Sequence, residues 1–387
     1  MNNISTVKDC YGCGVCAITC PKKIISIRLN ENGFYVPYLI DKRKCIDCGL
    51  CLNVCAYVKD EIAPLPSFDI KSYAAWSKDK QIRYDSSSGG ISFELGKYLI
   101  KQGYKACGVK YDISNRRAEH FIATTVEGFL PSIGSKYIPS YTFDGFSQFT
   151  RKDKFFVVGT PCQIDSLRHY VRLMKIEDNF VLMDFFCHGV PSMLMWNKYL
   201  SSVERKLGIN IDNICWRNKK TGWHDSWVIG VLNKSKSKTD FDYYSLMSKG
   251  DLFYKFFLGN KCLGKACYDK CKYKMLSSAA DIRIGDLWGT VYQEDEDGVS
   301  GVVVFTDRGL TILNGLVETV YLRKEQHSIV LEGQMKQAAK RTADYDWVSE
   351  QLKKGSSLEW IDLLILVRYV LTNFPRIMRN RINRIFK

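Results

Sequence analysis

The sequence predicts a multidomain chain of α+β and α/β class, with a small cysteine-rich N-terminal module, a larger mixed-sheet α/β body and a helical, basic C-terminal tail. Three observations predict it. Eight cysteines fall between Cys10 and Cys55 in two runs of identical spacing. The segments KFFVVGTPCQIDSLRHY and FVLMDFFCHGVPS each read as an apolar strand, a tight turn and a helix, the unit of an α/β sheet that binds ligands at its strand ends. Residues beyond about 335 carry helical rather than alternating periodicity.

The first run is Cys10, Cys13, Cys16 and Cys20, and the second is Cys45, Cys48, Cys51 and Cys55. Three closely spaced thiolates wrap one face of an iron–sulfur cube, and the fourth, three residues on, points to a neighbouring cube. Cys10, Cys13, Cys16 and Cys55 are therefore assigned to one 4Fe–4S cluster, and Cys45, Cys48, Cys51 and Cys20 to another. Gly12, Gly14 and Gly49 let the backbone bend close to sulfide. Zinc ribbons use two spaced cysteine pairs, not two runs of four. Residues 1–60 thus read as a bacterial-type ferredoxin module with two clusters, although Ala56 stands where a proline often follows the last cysteine.

Composition sets the context. The 387 residues suffice for two or three domains, and 46% hydrophobic residues support a sizeable core. A net charge of +15 favours acidic partners or an anionic membrane surface. No docking motif for nucleic acid accompanies it, so no nucleic-acid partner is expected. Met1 to Asp9 is polar and lacks a secretory apolar stretch, which points to the cytoplasm. There, fifteen cysteines favour metal ligation over disulfides. No run of eighteen apolar residues predicts a spanning helix.

Residues 61–67, with two prolines, read as a linker. Segment 68–150 begins with the strand SYAAW, followed by a Ser/Gly turn, Ser86, Ser87, Ser88, Gly89 and Gly90. A helix with Ile91, Leu95, Tyr98 and Leu99 on one face follows and stops at Gly103. Segment 151–335 carries a strand at Phe155–Val158, a helix near Met193–Leu207, a hairpin over 228–248 and a strand in VSGVVVFTDRG. On spacing alone the Ser/Gly turn is an N-cap.

The motifs SSSGG (86–90), GTPCQ (159–163), DFFCHGVPS (184–192), CLGKACYDKCKYK (262–274) and DIRIGDLWG (281–289) together resemble the coenzyme F420 hydrogenase/dehydrogenase β-subunit family, in its order and to about residue 335. The resemblance implies FAD, one or more 4Fe–4S clusters, and electron exchange between a ferredoxin-like carrier and a small organic hydride acceptor. The CHGVPS and GDLWG forms look most like relatives in bacterial polysaccharide gene sets, which puts F420 itself in doubt as substrate. By carry-over, Cys162, Cys187, Cys267 and Cys271 would hold a third cluster. The last pair is one residue longer than the family's usual spacing, so Cys262 competes as a ligand. Cys107 and Cys215 read as core residues. Ser86 to Gly90 would meet a flavin phosphate at a helix N-terminus. Thr160 and Gln163 would line the flavin site, and Asp286 would bind a ribityl or ribose hydroxyl or cap its turn. His188 is the candidate proton donor or flavin contact, with a structural role as the alternative. His224 is a second candidate, with Trp223 and Trp227 as stacking surfaces.

The tail, 336–387, divides in two. LEWIDLLILVRYVL (358–371) reads as a docked helix. The following segment holds Arg376, Arg379, Arg381, Arg384 and Lys387 without an acid, and Phe374, Ile377, Met378, Ile382 and Ile385 share a helical face. It suits packing on the body or on a partner, or peripheral contact with the inner face of a membrane. A non-catalytic electron-relay subunit is the competing reading of the whole chain.

Overall fold

A computed structural model describes residues 2–211, 213–232 and 240–385, with side chains described as far as 371. In the N-terminal module, strands β1 (Ile25–Leu29) and β2 (Tyr35–Leu39) form an antiparallel hairpin, with Ile25 opposite Leu39 and Leu29 opposite Tyr35. Two short helices, Val15–Thr19 and Leu50–Asn53, rise from the cysteine runs and pack together. Each is opened by a glycine in the left-handed region, Gly14 at φ 72° and Gly49 at φ 70°. A Cβ on Gly14 would lie 2.2 Å from Thr142 Oγ1, so the glycine also permits close approach of the body.

The body is one nine-stranded mixed sheet plus a three-stranded sheet. Its strands are β3 (Lys71–Ser77), β4 (Lys105–Asp112), β5 (Arg117–Ala123), β6 (Ser140–Tyr141), β7 (Phe155–Val158), β8 (Phe180–Phe185), β9 (Ile214–Arg217), β10 (Trp227–Leu232), β11 (Phe241–Leu246), β12 (Ile282–Asp286), β13 (Ser300–Val304) and β14 (Val320–Glu325). The large sheet runs β14-β3-β13-β12-β8-β7-β4-β5-β6, and the small one β11-β10-β9. Strands β4, β7, β8 and β12 are parallel neighbours. Unbroken apolar runs such as Phe155–Val158 suit this centre, because both faces of a parallel sheet are covered. One face packs on Ile91, Leu95, Leu99 and Phe129, and the other on Ile164, Leu167 and Val171 of helix Pro161–Leu173. Strand β3, from segment 68–150, lies between β13 and β14 from segment 151–335, so the two segments interleave in one sheet.

Helix Met193–Leu207 and the three-stranded sheet enclose an aromatic core of Trp196, Trp216, Phe253 and Tyr254. The expected hairpin over 228–248 is β10 with β11, although 233–239 lies outside the described residues.

The tail departs from expectation in two ways. It is helical only from Tyr345, with helices Tyr345–Lys354 and Leu358–Ile385. The second is a single helix, docked along one side by Leu358, Ile361 and Ile365, with Arg368 4.8 Å over the Trp347 ring. Leu358 and Ile361 are buried, Glu359 accepts from Ser202 Oγ at 2.6 Å, and Asp362 pairs with Lys255 at 2.6 Å. Leu363, Leu366, Tyr369 and Leu371 are exposed. Arg376, Arg379, Arg381, Arg384 and Lys387, and the apolar set beside them, lie outside the residues whose side chains are described. No helix among the described residues is long and apolar enough to cross a membrane.

Candidate functional site

Three sets of cysteines follow one another, from a partly exposed outer set through a largely buried inner set to a third, half-buried one. Cys20, Cys45, Cys48 and Cys51 form the outer set. Cys48 is exposed, Cys20 and Cys45 are half-buried, and Cys51 is buried with Cys20 as an electrostatic neighbour. Asn3 Nδ2 donates to Cys45 Sγ at 3.5 Å and to Asp47 at 3.0 Å, tying the chain's start to this set.

The inner set lines one cavity, in which Cys10, Cys13 and Cys16 meet Cys55 from the other run. This is the crossed pairing that the spacing predicts. Burial, and for Cys10 and Cys13 the nearby Cys55 sulfur, pushes Cys10 up to about 11 and Cys13 to about 12. Burial and the neighbouring thiols push Cys16 well above the ordinary thiol range too. Crowded buried thiols resist losing protons unless iron supplies the compensating charge, so loading the site releases protons. Gly12 N–H donates to Cys10 Sγ at 3.4 Å. Among the described residues no group of His, Cys, Asp or Glu is arranged to hold a single metal ion. Four soft sulfurs around an apolar cavity suit a 4Fe–4S cube.

The third set is brought together from separate loops. Cys162 sits in the first turn of helix Pro161–Leu173, Cys187 just beyond β8, Cys267 in helix Lys265–Asp269, and Cys271 just after it. Electrostatic neighbours link the four: Cys162 feels Cys187 and Cys267, and Cys187 and Cys267 both feel Cys271. Cys162 also feels Cys13, which puts this set against the inner one. Arg283, fully buried, pairs with Asp184 at 2.6 Å and donates to the carbonyls of Tyr273, Met275 and Ser277, fixing the loop that follows Cys271. Lys274 Nζ donates to Cys187 O at 2.6 Å. Cys262, the competing ligand, is buried in the aromatic core instead. Cys107 is buried in the large sheet and Cys215 lies on β9 against Gly230.

Thr160 and Gln163 form a capping box: Gln163 Oε1 accepts from Thr160 N–H at 2.8 Å. Gln163 also donates to Ser140 Oγ, and Thr160 Oγ1 lies 3.2 Å from Cys162 Sγ. Both side chains are thus committed to shaping the turn that carries Cys162.

The Ser86–Gly90 loop leads into helix Ile91–Lys101 with Gly90 as its left-handed N-cap. Ser87 Oγ accepts from Ser135 N–H, Ser88 Oγ donates to Val299 O at 2.6 Å, and Gly89 N–H donates to Ser300 Oγ. Two cations that the sequence reading missed grip its carbonyls. Arg217 donates to Ser87 O at 3.0 Å, to Tyr137 OH, and to Asp286 Oδ2 at 2.9 Å, and it lies 4.6 Å over Trp227. Lys219 Nζ donates to Ser88 O at 2.7 Å and to the carbonyls of Arg83 and Asp297, and burial pulls it down to about 7. Asp286, at the end of β12, is therefore ion-paired and also accepts from Trp223 Nε1 at 3.3 Å. Trp223 stacks on Trp288 with ring centres 4.4 Å apart, and His224 lies beside both. The only sequence signal for the two cations was the short run Arg217 to Lys220.

His188 lies between the third set and the aromatic core. Its Nε2 meets Phe257 O at 3.3 Å, its Nδ1 lies 2.7 Å from Met335 Sδ, and burial lowers its affinity for a proton.

Comparison with known proteins bears on this arrangement. Residues 9–58 match the 4Fe–4S dicluster domain, residues 72–144 the N-terminal part of the coenzyme F420 hydrogenase/dehydrogenase β subunit, and residues 152–328 its C-terminal part. The chain is 25% identical over 378 residues to the coenzyme F420-dependent sulfite reductase of Methanocaldococcus jannaschii, covering 90% of this chain and 53% of that protein. It thus spans about half the length of that relative. A chain of the F420-reducing NiFe hydrogenase complex from Methanosarcina barkeri is similar with a TM-score of 0.47 and 17% identity, over 73% of this chain and 88% of that one. With both halves of the β subunit matched in order behind a dicluster domain, the chain belongs to the coenzyme F420 hydrogenase/dehydrogenase β-subunit family.

Proposed function

We propose that this chain is an iron–sulfur flavoprotein oxidoreductase that exchanges electrons between a ferredoxin-like carrier and a small organic hydride acceptor. The observation that carries this reading is the nesting of the cysteine sets, from exposed Cys48, through the buried ring around Cys13, to the set around Cys162. Spaced thiolate sets of this kind suit clusters that pass single electrons. The third set, with Cys162, Cys187, Cys267 and Cys271, is read as holding a third 4Fe–4S cluster.

FAD is the proposed partner of that set, because a bound flavin supplies conversion between one-electron and hydride chemistry. The residues favour it in a particular way. The open N-terminus of helix Ile91–Lys101, reached by the Ser86–Gly90 loop whose carbonyls Arg217 and Lys219 hold in place, offers positive potential to a diphosphate. Ser87 and Ser88 hold the loop in shape, and Asp286 fixes Arg217. His188 is retained as the candidate proton-handling or flavin-contacting group, and Trp223 and Trp288 as an aromatic wall. The acceptor is left as a class, and its link to polysaccharide synthesis rests on motif likeness alone.

The exposed apolar residues of helix Leu358–Ile385, followed in sequence by arginines without acids, support peripheral contact with an anionic membrane surface. A second reading is a relay subunit without its own catalysis, which the same series of cysteine sets would also serve.

Anaerobic quantitation of iron, acid-labile sulfide and flavin, with EPR of the reduced protein, tests the proposal. Two or three 4Fe–4S clusters and one flavin per chain are expected. Clusters without flavin would leave the relay reading, and zinc in place of iron would end both.

A further inference from the structure

The proposal rests on the carrier-exchange reading above and assigns it a surface. The outer cysteine set is the exposed end of the series, and Cys48 is its exposed ligand. Ile40 N–H donates to Ile24 O at 2.8 Å, which closes the open end of the β1–β2 hairpin. Lys22 and Lys23 lead into that end, and Lys42, Arg43 and Lys44 follow from it. The first pair comes directly after Cys20-Pro21 and the second group directly before Cys45, so both border the outer set. All five basic residues are exposed.

The nearby acids do not cancel this charge. Asp41 is taken by Arg43 at 3.3 Å and caps the Lys42–Lys44 turn. Asp47 accepts from Asn3 and adds a second carboxylate, so the rim sets five basic side chains against two carboxylates and stays positive. Among the described residues Lys22, Lys23, Lys42 and Lys44 have no ion-pair partner. Two large apolar side chains stand in the same neighbourhood, Ile40 at 63% exposed and Ile46 at 59%. Isoleucines this exposed, bordered by unpaired lysines and next to an exposed cluster ligand, have the make-up of a docking patch with an apolar centre and a charged rim.

We propose that this rim is the docking face for a small acidic ferredoxin-type protein. The apolar centre gives a short approach to Cys48, while the lysines steer an acidic partner and set its orientation. Such a contact is transient, so its electrostatics are felt mainly in the encounter rate and in salt dependence.

The test uses the full chain with its clusters reconstituted and an acidic ferredoxin carrying two 4Fe–4S clusters as probe. Binding is followed by calorimetry and electron transfer by stopped-flow absorbance, both at low and high salt. The triple variant Lys42→Glu, Arg43→Glu, Lys44→Glu should weaken binding and slow transfer at least about tenfold at low salt, with the difference from wild type vanishing at high salt. The double variant Ile40→Ser, Ile46→Ser should weaken binding at both salts. Iron and sulfide content should be unchanged in both, since the altered side chains are exposed. Wild-type binding that is absent, or equal in the charge-reversed variant, overturns the proposal. If electrons still pass in that second case, the carrier-exchange reading stands without this surface. If the ferredoxin binds at the rim but no electrons pass, the surface stands and the carrier-exchange reading fails. If the charge reversal instead abolishes only co-sedimentation with anionic phospholipid vesicles, the rim is a lipid contact and the proposal is overturned.

Discussion

Ser166 shows how a residue far from any cysteine run acts on a cluster site. Its hydroxyl, fully buried in the body, accepts from Ala56 N–H at 3.2 Å and lies 3.3 Å from Cys13 Sγ. With its lone pairs turned to the amide, the hydroxyl proton is directed at the sulfur once Cys13 is a thiolate. A hydrogen bond to a cluster thiolate stabilises the more negative, reduced state and raises the potential. Ser166→Ala should therefore lower the midpoint potential of one cluster while the other stays put, and Ser166→Thr should restore it. Potentiometric EPR reads both, and an unshifted pair of potentials would show the hydroxyl to be structural only. His120 carries a second expectation. It is buried on β5 against Phe146, its Nε2 meets Val158 O at 3.0 Å, and burial holds it down to about 4. The unfolded chain takes up this proton near pH 6.5, so stability falls as pH drops below that value and the loss is complete near pH 4. The loss is about 3 kcal/mol at most. Urea midpoints of His120→Leu should depend less on pH between 7 and 4.5 than those of the wild type, and parallel slopes would remove His120 from the account. Neither residue was legible in the sequence. The cysteines were, because ligand chemistry fixes their local spacing. Ser166, Arg217 and Lys272 act on partners more than a hundred residues away, and no local pattern encodes that.

At the scale of elements, what could be read was what local physics dictates. The apolar strand Phe155–Val158 and the helix Met193–Leu207 stand where their periodicity puts them. The hairpin β4–β5 was not legible, because Glu119 and His120 are buried on β5 and break its alternation. Thr160 and Gln163 carried a capping-box signature that the functional reading overrode. The tail helix is docked as its sequence suggests, but sequence gives a helix its apolar residues and not how many of them a surface will cover. Trp360, Leu363, Leu366, Val367, Val370 and Leu371 recur at helical spacing and are all exposed. If this row meets a membrane surface, the full chain should co-sediment with vesicles containing anionic phospholipid and not with neutral ones. Leu366→Glu with Leu371→Glu should abolish that binding without changing iron content. Absence of wild-type binding to either vesicle type would return the helix to a protein partner.

For the whole molecule, the order of modules was legible, because each carries its own motifs along the chain. How they lock together was not. The ferredoxin-type module shares an apolar core with the body, Cys13, Val15 and Val54 clustering with Phe146, Ile164 and Leu167, and is tied to it further by buried polar contacts, of which those of Lys272 are the most concentrated. Lys272 follows Cys271 directly, and its ammonium donates to Ala56 O, Lys59 O and Glu61 O at 3.2, 2.7 and 2.8 Å. Asp165, fully buried, accepts from Ala63 N–H at 2.9 Å and from Tyr273 OH at 2.7 Å, anchoring the same stretch of linker. These contacts join the end of the second cysteine run to the loop bearing the third set, so they also fix the separation of the inner and third sets. Lys272→Met keeps the length of the side chain but leaves three carbonyls without their charged donor. Hydrogen bonds from a charged group are worth about 1.5–3 kcal/mol each, and carbonyls at the linker regain water when freed. A net loss of about 2–4 kcal/mol at this junction is therefore expected. The linker touches the body's cores only at their margin, through half-buried Leu65, Phe68 and Ile70, so the weakening should be local: protease nicking between residues 58 and 71 should accelerate well before global unfolding shifts. Asp165→Asn, which keeps the acceptor for Ala63 N–H, should have a smaller effect. If Lys272→Met leaves the nicking rate unchanged, the module is held by its apolar and backbone contacts, and Lys272 serves only to shape the loop after Cys271.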